Sequence, residues 1–152
     1  MRIEKANLTH LDSIYDIEIK TFSDAWSKNS IKSAMESEPC NIFLALDDDN
    51  TVIGYIFFYL IDEEAEILNL AVIPEKRRMG IASSLLKYSF EIMKKNCVRN
   101  AYLDVRKSNI PALSLYKSFN FEQLTIRKNY YTKPVEDAID MCLCLDNEEV
   151  EK

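Results

Sequence analysis

The segment from Glu64 to Arg106 constrains the fold most, because its hydrophobic pattern changes from strand to helix and back to strand. Residues Glu64–Ile73 have a strand pattern that ends at Pro74, Gly80–Lys95 have a helical period, and Ala101–Arg106 are again strand-like. Two strands joined through a helix form a parallel pair with a right-handed crossover. We therefore predict an α/β domain whose mixed, mostly antiparallel sheet contains a central parallel crossover.

Strand and helix patterns on either side complete the predicted order β-α-α-β-β-β-α-β-α-β-β. The two closing strands are predicted over Phe121–Arg127 and Ala138–Leu145, with Tyr130 and Tyr131 in the loop between them. The Gly80–Lys95 helix is predicted to carry Ile81, Leu85, Tyr88 and Ile92 on one face.

Composition indicates one domain without metal or nucleic acid. The chain has 152 residues, enough for one core, and shows no repeat or linker, so we predict a single domain over residues 1–146 and an acidic tail over residues 147–152. The net charge of −6 argues against direct nucleic-acid binding. Neither a signal peptide nor a membrane span is recognisable, so we expect no membrane association.

Cysteine usage points to a reducing compartment. The four cysteines include no C-x-x-C pair, and the single histidine, His10, cannot complete a common zinc set. We therefore expect free thiols, no metal and a cytoplasmic location.

Glycine is scarce: there are two, Gly54 and Gly80, where about eleven would be usual for this length. Gly54 lies inside a strand pattern and indicates a bulge or a tight contact. Gly80 lies between a basic turn and a helix start, where unpaired backbone N–H groups can bind phosphate oxygens. An ordinary helix start with a solvated basic turn explains this segment equally well.

Two sequence motifs, in the same order and spacing, match those of a known family. Arg77–Ala82 fits Q/R-x-x-G-x-G/A after a strand, and Ser108–Phe121 fits S-N-x-x-A-x-x-L-Y-x-x-x-G-F, with Asn120 in place of glycine. The sequence thus resembles the GNAT acetyltransferase family. Asn120 keeps the structural role, because asparagine tolerates a left-handed backbone.

Further segments are similar to the RimI-type protein N-terminal acetyltransferases within that family. They are Trp26–Ser27, Leu103–Arg106, Arg127–Tyr131 and Glu136–Met141. The resemblance implies the GNAT fold and acetyl transfer from acetyl-CoA to a protein N-terminus, with the N-terminal alanine of a small-subunit ribosomal protein as the leading substrate.

The resemblance also implies the site residues. Asp104 takes the place of the glutamate that acts as general base in the family, and Tyr116 is the general acid. Tyr130, Tyr131 and the Phe22–Trp26 segment help to hold the peptide terminus. The residues implied for acetyl-CoA are Leu70, Ala71, Val72, Arg77, Arg78, Met79, Gly80, Ile81, Ala82 and Asn109.

The residues themselves leave alternatives open. Asp104 could pair with Arg106 or another cation at the sheet surface, and Glu66 could be a rival base or a second one. Tyr116 could be a core aromatic, and Asn109 could only cap its helix. The alternative functions are acetylation of a small-molecule amine and non-catalytic binding of acetyl-CoA.

Overall fold

The computed structural model describes residues 1–145, so the predicted tail over residues 147–152 lies outside the described residues. The predicted element order is confirmed. The helices are α1 (Leu11–Thr21), α2 (Lys28–Glu36), α3 (Ile81–Lys95) and α4 (Ile110–Ser118). The strands are β1 (Arg2–Lys5), β2 (Cys40–Leu46), β3 (Val52–Ile61), β4 (Glu64–Val72), β5 (Asn100–Arg106), β6 (Glu122–Tyr131) and β7 (Glu136–Cys144).

All seven strands form one sheet in the order β1-β2-β3-β4-β5-β7-β6. Neighbouring strands are antiparallel except β4 and β5, which are parallel and joined through α3, as the crossover predicts. Their pairing runs from Glu64 opposite Asn100 to Ile67 opposite Leu103 and goes no further in the described chain. A gap therefore opens in the middle of the sheet.

A β-bulge at Leu68 lies where this gap begins. Phe57 on β3 is opposite Asn69 and Phe58 is opposite Ile67, so Leu68 is the extra residue on β4. One extra residue reverses the side-chain alternation of the rest of a strand. Leu68 and Asn69 consequently both face α1 and α2, whereas Leu70 faces α3.

Each face of the sheet has its own apolar core. Ile14 and Ile17 of α1 and Ile31 of α2 pack on Tyr55 and Phe57 of β3. On the opposite face the buried side of α3 consists of Ile81, Leu85, Leu86, Ser89, Phe90 and Met93. Tyr88 lies at the edge of this stripe, 40% exposed, with its ring against Phe43.

The closing hairpin is longer than predicted. Tyr130 and Tyr131 belong to the end of β6 rather than to a loop, because Tyr131 pairs with Glu136 at the start of β7. The Tyr131 ring therefore lies beside the Arg106 guanidinium of β5, and the Tyr130 ring lies beside Arg127 of β6. Within residues 1–145, no helix has the length and apolar composition that a membrane span needs.

Candidate active site

The loop before α3 exposes backbone donors. Gly80 has φ of 80° and Arg78 has φ of 63°, both in the left-handed region. No described side chain caps α3, and its first turn holds no acidic residue. The N–H groups of this turn are thus free to meet an anion.

Gly80 is needed for its backbone angle and not because neighbouring residues crowd it. Apart from the chain immediately around Gly80, a Cβ built there meets no atom of the described residues within 4 Å. The side facing away from the chain is open, which is compatible with close approach of a diphosphate. Arg77 holds the loop to the strand, since its Nε donates to the Val72 carbonyl at 3.0 Å.

The segment Leu70–Val72 forms one edge of the gap. It pairs with β3 on one side, and no described strand pairs with its other side. Gly54 opposite it has no room for a side chain, because a Cβ would lie 2.9 Å from the Ala71 carbonyl oxygen. The predicted tight contact at Gly54 is confirmed.

A cavity of about 610 Å³ extends through the gap and is lined from both faces of the sheet. It brings together Asp104, Tyr116, Asn109, Leu70, Glu66, Tyr130 and Tyr131 from the sequence predictions. Ala71, Val72 and the residues Arg77–Ala82 are not among its lining residues. The predicted site thus has two parts, the cavity and the loop before α3.

Three carboxylates from three strands form the carboxylate cluster: Glu66 on β4, Asp104 on β5 and Asp140 on β7, which is opposite Asp104. Arg127 on β6 lies between them, with Nε 3.0 Å from Asp104 Oδ1 and Nη2 3.5 Å from Asp140 Oδ2. The predicted alternative, a cation paired with Asp104, is therefore confirmed. The partner is Arg127, and not Arg106.

Burial raises the pKa of Glu66, and the charges of Asp104 and Asp140 raise it further, while Arg127 lowers it. Burial and the charge of Asp104 likewise raise the pKa of Asp140. A carboxyl group with a raised pKa is a better proton acceptor at neutral pH than an unperturbed one. Glu66 thus has the electrostatic environment expected of a general base.

Arg106 instead connects two walls of the cavity. Its guanidinium donates to the carbonyls of Thr132 and Pro134 at 2.8 and 3.0 Å and pairs with Glu136 at 3.2 Å. It also lies 3.4 Å from Asp24, in the segment between α1 and α2. A single side chain therefore ties the β6–β7 turn to the α1–α2 segment.

Tyr116 reaches the cavity from the α4 side of the sheet. It is 7% exposed and packs edge-on against Phe121, with ring centroids 5.6 Å apart. Burial raises the pKa of its hydroxyl. Asn109 caps α4 by accepting from the Ala112 N–H at 3.2 Å, and it also lines the cavity, so both of its predicted roles are compatible.

The sequence predictions missed a buried hydrogen-bond network on the α1 side of the cavity. Glu18, 1% exposed, accepts from the Tyr55 hydroxyl at 2.6 Å and from the Trp26 N–H at 3.0 Å. The Asn69 amide nitrogen donates to both Glu18 oxygens, at 2.8 and 2.9 Å. One signal was available: Glu18 is four residues after Ile14, on the buried stripe of α1.

The comparisons with known proteins agree with this geometry. The model of the acetyltransferase (GNAT) family matches residues 11–121. The [ribosomal protein bS18]-alanine N-acetyltransferase of Escherichia coli K12 is 32% identical over 143 residues, which cover 93% of this chain and 95% of that protein. A Bacillus subtilis protein provisionally given the same activity is 33% identical over 144 residues, 95% of each chain.

A solved structure shows the same architecture. The crystal structure of the ribosomal-protein-S18-alanine N-acetyltransferase from Escherichia coli matches with a TM-score of 0.88 at 32% identity. The match covers 95% of this chain and 93% of the other. The similarity therefore includes both walls of the cavity as well as the strand–loop–helix segment.

Proposed function

The chain belongs to the GNAT family of acetyltransferases, and from that premise we propose that it acetylates the α-amino group of a protein N-terminus. The leading acceptor is the N-terminal alanine of ribosomal protein bS18, the substrate in the name of the Escherichia coli relative. The observation that carries the proposal is the carboxylate cluster at the gap in the sheet, where a protonated amine would find negative charge.

An α-amine suits this site better than a lysine side chain. The pKa of an α-amino group is about 7.7 to 8.0, against about 10.4 for lysine, so less driving force is needed to deprotonate it. In the reaction a C–N bond forms, the C–S bond of acetyl-CoA breaks, one proton leaves the amine and one reaches the thiolate. The chain must therefore supply a proton acceptor and a proton donor.

For the acceptor we propose Glu66 and Asp104 acting on the same amine. Glu66 has the raised pKa, while Asp104 is held by Arg127 and is one methylene shorter than the family's glutamate. For the donor we propose Tyr116, a largely buried residue that lines the cavity from the opposite side of the gap. A general acid or base typically contributes about 10²- to 10⁴-fold to the rate.

Acetyl-CoA would bind along the edge Leu70–Val72 and at the loop before α3. The left-handed Arg78 and Gly80 and the uncapped first turn of α3 fit a diphosphate, and Asn109 fits a polar contact from the α4 side. No group of three or more His, Cys, Asp or Glu side chains among the described residues is placed to hold a metal.

We further propose that residues 1–146 act as one unit, with residues 147–152 as a tail, in the cytoplasm. The four free thiols fit a reducing compartment.

Intact-mass measurement on a panel of peptides tests the function. Ala-initiated peptides are expected to gain one acetyl group, and an N-blocked peptide containing lysine is expected to gain none. Faster turnover of free polyamines than of any peptide would favour a small-molecule acetyltransferase. Binding of acetyl-CoA without any transfer would favour a non-catalytic module.

Comparison of Glu66→Gln with Asp104→Asn shows how the two carboxylates share the base role. A loss of 10²-fold or more in kcat in one variant and about 10-fold in the other would identify the principal base. Wild-type rates in both variants would contradict the assignment of either residue.

A further inference from the structure

We propose that Asn69 binds the acceptor, with its side-chain carbonyl oxygen accepting a hydrogen bond from the first peptide N–H, and that Glu18 is the positioning residue that aims it. This inference rests on the proposed function, because it concerns the acceptor that the cavity takes. It assigns to the bulge in β4 a role in recognising a peptide rather than a simple amine.

The orientation of the Asn69 amide follows from its partner. A carboxylate only accepts hydrogen bonds, so the side of the amide that faces Glu18 must be the nitrogen. That nitrogen lies within 3 Å of both Glu18 oxygens, at 2.8 and 2.9 Å. The carbonyl oxygen is therefore held on the opposite side.

That oxygen is available to a ligand. The hydrogen bonds found for the Asn69 side chain within residues 1–145 all run from its nitrogen to Glu18. No buried side-chain oxygen or nitrogen in the same residues lacks a partner, so an unpaired oxygen at Asn69 must be accessible. Asn69 is one of the residues that line the cavity, and we infer that this oxygen opens into it.

Glu18 is well suited to hold this orientation. Its two oxygens also accept from Tyr55 on β3 and from the Trp26 backbone, so helix, sheet and the α1–α2 segment all fix its position. The bulge at Leu68 supplies the other requirement, because without it Asn69 would face α3 and could not reach Glu18.

The first peptide N–H is the donor that this oxygen suits. The N–H groups of the amine are committed to the carboxylate cluster, where one proton must be removed. The next N–H along a peptide belongs to its second residue, and a free amine has none. Asn69 follows Glu66 by three residues on the same strand, so amine and amide can be engaged together.

Two matched peptides test the proposal. One starts with alanine, and the other is identical but N-methylated at the second residue, which removes the first peptide N–H. The kcat/KM for the unmethylated peptide is divided by the kcat/KM for the methylated peptide, in wild type and in Asn69→Ala. We expect this ratio to be about 5- to 10-fold smaller in the variant than in wild type. Without Asn69 the first peptide N–H has no acceptor there, so methylating it costs less.

Controls separate binding from folding. Asn69→Ser serves if the alanine variant does not fold, and the melting-temperature shift on adding acetyl-CoA reports an intact donor site. Glu18→Gln should lower the same ratio less, since one acceptor oxygen remains. Asn41→Ala is the matched control, because Asn41 on β2 donates to the Pro39 carbonyl and does not line the cavity.

An equal loss on both peptides, or no loss on either, would overturn the role of Asn69 while leaving N-terminal acetylation in place. Turnover of free amines but of no peptide by the wild-type enzyme would overturn the proposed function and the role of Asn69 together.

Discussion

At the loop before α3 the polar groups are backbone N–H groups set by two left-handed residues, whereas in the cavity they are side chains from at least five elements. The loop is continuous in sequence, and its partners lie within a few residues of one another. In the cavity, Glu18 is 51 residues from Asn69, and Asp104 is 23 residues from Arg127. If the proposed function holds, donor binding is encoded locally, whereas acceptor chemistry depends on the assembled sheet.

The largest expected effect comes from Gly80→Glu in the loop. A side chain in the left-handed region costs about 1 to 2 kcal/mol, and the carboxylate adds negative charge where phosphate should bind. The chain has room for the side chain, so it should still fold. Acetyl-CoA at 100 times its Kd stabilises a protein by about 2.7 kcal/mol, and we expect that thermal shift to vanish.

Cys97→Glu is the matched control for this variant. Cys97 is exposed, has φ of 61° and lies just beyond the other end of α3. It should lose some stability but keep the full shift. An unchanged shift in Gly80→Glu would place the diphosphate elsewhere.

This difference between the two parts explains what the sequence could predict. The left-handed turn at Gly80 was predictable because glycine before a helix marks such a backbone position locally, whereas the left-handed Arg78 beside it gives no such signal. The parallel pairing of β4 with β5 was predictable because a helix between two strands imposes a parallel pair. The partner of Asp104 was not, since Arg106 is near in sequence but Arg127 is the neighbour across β7.

The Asn69 network was beyond sequence reasoning for a related reason. Strict alternation would place Asn69 with Ile67 on the α3 face, and only the bulge at Leu68 moves it to the α1 face. Nothing in the local residues marks that bulge. Tyr131 was similarly misplaced, because its pairing with Glu136 depends on irregular register within the β6–β7 hairpin.

Tyr116→Phe tests the proposed proton donor in the cavity. We expect kcat to fall about 100-fold, since the proton donor is lost, while the ring contact with Phe121 preserves the packing. The thermal shift with acetyl-CoA should match wild type. Full activity in this variant would mean that Tyr116 is a core aromatic and not the proton donor.

Asp24→Asn tests whether the α1–α2 wall must be tied to Arg106. Asp24 is partly exposed, and exposed ion pairs contribute about 0.2 to 1 kcal/mol, so KM for the peptide should rise up to about 5-fold with kcat little changed. Asp12→Asn removes a different ion pair, between α1 and Lys28, and serves as the control. Equal effects in the two variants would indicate general loosening of the helices.

The smallest expected effect is a shift of the pH–rate profile in Arg127→Gln. Asp104, Asp140 and Arg127 are the charged groups that act on Glu66, and Arg127 is the one that lowers its pKa. Its removal should raise the pKa of Glu66, so activity should be lost at a higher pH as the solution is acidified. We expect the acidic limb of kcat/KM to move to higher pH and to return to its wild-type position in Arg127→Lys, which keeps the charge. Asp104→Asn should move that limb in the opposite direction, because Asp104 raises the pKa of Glu66. Shifts of the same sign in both variants would mean that another group than Glu66 controls the limb.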